Sequence, residues 1–146
     1  MRGLPVVLAF GFLAGPVFAD VPPEGLISPK GLKGIVRLDR LPQPTDPVLA
    51  RGREVWGGTC VNCHGGNRAT GAPKITSTDD WAPRVTQGID VLFSRAVDGF
   101  MGPKFTEMPP RGGTELPDED IFAAVAFMIW ASGSADVALR YIETKD

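Results

Sequence analysis

Cys60-Val61-Asn62-Cys63-His64 contains both cysteines and the only histidine of this 146-residue chain, and no other feature restricts the fold as strongly. On a helix-like backbone, residues at i, i+3 and i+4 project from the same side, so two thiols and one imidazole face a common object. A disulfide would account for two cysteines in an exported chain but not for the histidine beside them. A structural zinc site needs four ligands, and only three are offered. A redox dithiol of the thioredoxin kind needs a strand-helix-strand setting, and the chain has no convincing alternating strand pattern. Cys-x-x-Cys-His is instead the pattern of covalent haem attachment, in which two sulfurs join the vinyl groups and the imidazole reaches iron. Gly57 and Gly58, just upstream, are expected to let the backbone approach the porphyrin.

Because His64 is the sole histidine, a second axial histidine from the same chain is ruled out. Methionine, lysine or an open site remain. Met108 lies in Thr106-Glu107-Met108-Pro109-Pro110-Arg111-Gly112-Gly113, where two prolines stiffen the backbone and two glycines allow a tight turn. It is the favoured ligand over Met101, which lies in a similar loop, and over Met128, which reads as core filler in an apolar run. A His/Met pair raises the haem potential, and with both axial positions filled iron has no place for a substrate. The expectation is an electron carrier and not an enzyme, with no nucleophile-base pairing legible elsewhere.

The first nineteen residues read as an export signal, with basic Arg2, an apolar run from Leu4 to Phe18, and small Ala19 before Asp20. Cleavage after Ala19 would deliver a soluble, periplasmic protein, since no later run approaches the roughly 20 apolar residues of a membrane span. The expected organisation is a signal peptide over 1–19, a Pro-rich arm over 20–45 and one monohaem domain over 46–146. Fifteen basic and seventeen acidic side chains leave a formal net charge of −2, with no Lys/Arg cluster suited to nucleic acid. Asp46-Pro47 starts a helix that should run to about Trp56. Gly65 to Gly88 reads as loop, Ile89 to Val97 as a second helix ended by Gly99, and Phe100 to Leu116 as loop again. A last helix is expected from Asp118 to near Gly133, its acidic start suiting the helix dipole.

With these residues assembled, the chain resembles a class I c-type cytochrome, and more closely the short bacterial cytochrome c-five subgroup. The likeness rests on the Cys60–His64 motif with Gly52 and Trp56 eight and four residues before Cys60, on Gly71-Ala72-Pro73-Lys74, on Trp81-Ala82-Pro83-Arg84, and on Met108 to Gly113. It implies an all-α cytochrome c fold, three to four helices and long loops wrapped around one covalent haem c. It also implies that the first helix packs on the last through Val125, Phe127 and Met128. The carbonyl of Pro73 would accept the ring proton of His64, and Trp81 and Arg84 would sit near the haem propionates. Two departures stand out: the cysteine pair that some members carry after the Met-Pro-Pro loop is missing, and Pro117 replaces a Ser or Thr helix cap.

The last helix holds eleven consecutive apolar residues, Ile121 to Ala131. Beyond a stripe facing the haem, Phe122, Ala126, Ile129 and Trp130 make a second one, which a surface helix does not need. Either the Pro-rich arm folds back over it, with Leu26, Ile27, Leu32, Ile35, Val36 and Leu38, or a subunit partner does. The functional expectations are therefore a one-electron carrier between redox protein donors and acceptors in a periplasmic chain, a haem subunit of a larger oxidoreductase, or, less favoured, a haem sensor of small gases. Nucleic acid and small-molecule substrates are not expected partners.

Overall fold

The computed structural model describes residues 20–103 and 106–145; the export signal expected over 1–19 lies outside them. Among the described residues six α-helices follow in order: α1 (Pro47–Val55), α2 (Val61–His64), α3 (Thr78–Val85), α4 (Ile89–Asp98), α5 (Asp118–Trp130) and α6 (Ala135–Glu143). One antiparallel ladder of two residues a side joins β1 (Phe100–Met101) to β2 (Glu107–Met108), with Phe100 opposite Met108.

Asp46 caps α1 by accepting the amide of Leu49 at 2.9 Å, and Pro47 opens it. The helical winding does not stop at Trp56. It widens into one π-helical stretch, Trp56–Cys60, and continues through α2 to His64, so Gly52, Trp56 and Cys60 stay on related faces. At Gly52 the backbones of α1 and α5 meet: a Cβ there would stand 2.0 Å from the carbonyl oxygen of Ala123. Only glycine fits this crossing. Trp56 and Phe127, both fully buried, fill the space beside it.

The all-α architecture is as expected, but it has five helices of eight residues or more among the described residues instead of three to four. Two were not legible. α3 lies inside the span read as loop, because Pro83 suggested a breaker; Ser77 caps it through the amide of Asp80, and Pro83 stands two residues before the helix ends at Val85. α6 follows the turn at Gly133 and buries Ala138, Tyr141 and Ile142 at helical spacing. α4 and α5 begin where predicted, α4 running one residue further and α5 ending three earlier. Pro117 takes the cap position of α5 with no side-chain bond to offer.

α6 also answers the question of the second apolar stripe. Residues 121 and 123–131 are buried, and Phe122 packs on Tyr141 of α6 with ring centroids 4.9 Å apart. The arm covers the rest: Leu26, Val36 and Leu41 join the same core, and the indole N–H of Trp130 donates to the carbonyl of Asp20 at 2.7 Å. Ile35, in contrast, is exposed. Of the two covers that the sequence offered for this helix, the arm is the one seen on it, and α6 joins it. The arm is held by hydrogen bonds where it lacks regular structure. The Asp20 carboxylate accepts from the amides of Thr45 and Asp46 and from the Thr45 hydroxyl, at 2.6–2.9 Å, and Arg53 donates to the carbonyls of Leu38, Leu41 and Pro42. No helix among the described residues is long and apolar enough to cross a membrane.

Candidate haem site

Cys60 ends the π-helical stretch, and Cys63 and His64 close α2, so the continued winding turns all three toward one cavity. It encloses about 1090 Å³ of empty space, part of it open to solvent, and its wall is mostly apolar. The two cysteines are not joined in a disulfide. Burial pushes the Cys60 thiol up to about 11, which keeps it protonated and unlike a reactive redox dithiol.

His64 is held from two directions by one loop. Its Nδ1–H donates to the carbonyl of Pro73 at 2.8 Å, and its own carbonyl accepts the amide of Ile75 at 2.9 Å. The tautomer follows, because a carbonyl can only accept: Nδ1 carries the proton, and Nε2 is left with its lone pair. Burial lowers the imidazole's affinity for a second proton; the bond to Pro73 works against this, and the positive charge of Arg84 adds to it. A neutral imidazole with a free Nε2 is what a metal ligand requires.

Of the other predicted residues, Pro73, Trp81, Arg84 and Met108 all lie on the wall of the same cavity. Trp81 is buried with its ring 6.1 Å from that of His64, and its N–H is already given to the carbonyl of Lys74 at 3.0 Å. It therefore offers the cavity a ring and no hydrogen bond. Arg84 donates to the carbonyl of Asp80 one turn earlier in α3. Met108 is presented from β2, and the turn after it is forced by the left-handed backbone of Arg111, Gly112 and Gly113. Met101, the second candidate, is 58% exposed on β1 and does not line the cavity. Met128 does line it, from α5, so the residue read as core filler is also part of the wall. Gly57 was expected to face the porphyrin, but a Cβ there would strike the side chain of Leu38 in the arm at 2.7 Å.

Sequence reasoning missed Arg95. It reaches the cavity from α4, its guanidinium lying 4.3 Å over the ring of Phe100 and donating to Gln87 at 2.7 Å. Neither Arg84 nor Arg95 meets a carboxylate within ion-pair distance among the described residues. The helical spacing of Leu92, Arg95 and Ala96 could have revealed it, had the apolar face of α4 been assigned to the cavity. Two thiols, an imidazole with a free nitrogen, a thioether, an apolar wall and two guanidiniums suit an iron porphyrin bearing two carboxylates.

The known proteins that this chain resembles are cytochromes. The family model described as "Cytochrome C oxidase, cbb3-type, subunit III" matches residues 47–128. The chain is 37% identical over 84 residues to cytochrome c-555 of Chlorobaculum tepidum, covering 57% of this chain and 76% of the relative. It is 33% identical to cytochrome c-555 of Chlorobaculum thiosulfatiphilum, covering 57% and 95%. A chain from the crystal structure of the electron transfer complex of nitrite reductase with cytochrome c is similar at 38% identity and a TM-score of 0.50, over 60% of this chain and 96% of that one. With its motif, its helical fold and these relatives in agreement, the chain belongs to the class I c-type cytochromes, within the cytochrome c family that this model represents.

Proposed function

We propose that this protein is a one-electron carrier of a periplasmic electron-transport chain, with a single haem c attached through Cys60 and Cys63 and its iron held between His64 and Met108. The observation that carries the proposal is the convergence of two cysteine sulfurs outside any disulfide, one buried imidazole and one thioether on a single cavity. The haem supplies the reversible one-electron couple; the chain's residues hold and insulate it. Pro73 fixes the ring of His64 and raises the basicity of Nε2. Pro109 and Pro110 stiffen the backbone beside Met108. Arg84 and Arg95, on the cavity wall, would meet the propionates, and the apolar wall would exclude water. His64 and Met108 together would leave iron no place for a substrate, which supports a carrier over an enzyme or gas sensor.

Redox proteins are the partners this reading requires. The neighbour from a complex with nitrite reductase supports that class of partner. The alternative of a haem subunit in a larger oxidoreductase was motivated by an apolar stripe that α6 and the arm in fact cover.

The test is expression of the full chain with haem-maturation machinery. The expected product begins at Asp20, is recovered from the periplasm and keeps one haem mass after denaturation; a product without that mass overturns the proposal. Carbon monoxide added to the reduced protein should bind slowly or not at all, whereas rapid binding would favour the sensor.

A further inference from the structure

Thr76 adopts φ +72, a left-handed conformation that a β-branched residue rarely takes, and it is fully buried. It directly follows the Pro73–Ile75 loop that grips both the ring and the carbonyl of His64. Each of its polar groups has one partner. Its amide donates to the hydroxyl of Ser132 at 2.9 Å, its hydroxyl accepts the amide of Leu32 at 2.9 Å, and its carbonyl accepts the amide of Ser28 at 3.2 Å. Two partners belong to the arm and the third follows α5, so all three lie outside the residues 47–128 that the family model matches. The approach of the arm is close: a Cβ on Gly31 would stand 2.8 Å from the Thr76 hydroxyl oxygen.

We propose that Thr76 is a positioning residue for the axial histidine, a strained hinge that the arm and Ser132 hold so that the Pro73 carbonyl stays on the His64 ring proton. A backbone held in a sparsely populated conformation relaxes when its restraints go. Loss of the Thr76 hydroxyl leaves the Leu32 amide without its acceptor and frees the loop to move. The Nδ1–H bond to Pro73 then weakens, the imidazole becomes a poorer donor, and the oxidised iron loses stabilisation relative to the reduced. The arm thereby tunes the reduction potential through the protein side of the histidine, without touching the haem.

This inference rests on the haem reading, and the experiment separates the two. Thr76→Val keeps the branched shape and removes the acceptor; Thr76→Ser keeps the acceptor. In haem-loaded protein, Thr76→Val should raise the reduction potential and speed hydrogen exchange at His64 Nδ1–H at least ten-fold, and Thr76→Ser should restore both. Ser132→Ala, a milder loosening, should move both in the same direction and serves if Thr76→Val does not fold. Loaded variants that lose thermal stability while potential and exchange stay unchanged would overturn the proposal, reducing Thr76 to a packing role. Failure to retain any haem mass in the parent protein would instead overturn the haem reading.

Discussion

At single residues, the close contacts decide the consequences of change. The Cβ of Gly52→Ala would lie 2.0 Å from a backbone carbonyl of α5, which no flexible side chain can relieve. The expected cost is about 3 kcal/mol or more, since overpacking against rigid backbone lies at the upper end of such substitutions, and urea denaturation measures it. The two methionines separate by position. Met108→Ala should abolish the sulfur-to-iron charge-transfer band of the oxidised protein and open the reduced protein to carbon monoxide, whereas Met101→Ala should leave both as they are. Survival of the band in Met108→Ala would exclude that ligand. That Cys60, Cys63, His64 and Met108 come together on one cavity was legible because covalent and coordinate chemistry would fix residue type and spacing. Arg95 was not, because a cation on a helix face acquires meaning only once the face is known to border a cavity.

Between elements, the contacts are ionic and aromatic as well as apolar. Arg51 of α1 forks onto Asp120 at the start of α5 through two bonds of 2.6 and 2.7 Å. The hydrogen bond from the guanidinium holds the Asp120 carboxyl below the usual carboxylate range, with partial burial acting the other way. A carboxylate depressed in the folded state stabilises it above the unfolded pKa near 3.9 and ceases to do so as pH falls through the folded value. Asp120→Asn should therefore lower stability at neutral pH and flatten its decline below about pH 4, as read from urea midpoints across pH 2 to 6. At the other extreme, burial and the bond to Asp90 push the Tyr141 phenol up to about 12. That contribution is complete below pH 10 and is lost as pH rises through 12, so Tyr141→Phe should remove the alkaline part of the stability profile. Helix starts were readable from Asp46-Pro47 and from the acids before Ile121. α3 and α6 escaped because a late proline and a short amphipathic run look like loop until tertiary packing rewards them.

For the whole molecule, the arm is structural. Removing residues 20–41 takes Leu26, Val36 and Leu41 out of the core and strips Trp130 of its acceptor. Three aliphatic side chains at about 1.5 kcal/mol each set a loss on the order of 4 kcal/mol, measurable by thermal and urea unfolding. A truncated chain of equal stability would show that the arm is not the cover. The sequence offered the arm and a second subunit as alternatives for the apolar helix, and it could not offer the third participant, α6, because nothing local marks which short helix returns to cover another.

The haem cavity has two walls of unequal strength. His64 is gripped by a loop tied to the arm, to α3 and to Ser132, whereas Met108 stands on a ladder only two residues long whose opposite strand carries the exposed Met101. Local opening at so short a ladder would cost less than global unfolding. If His64 and Met108 hold the iron as proposed, an added ligand such as imidazole would reach it by displacing Met108, the less firmly tied of the two.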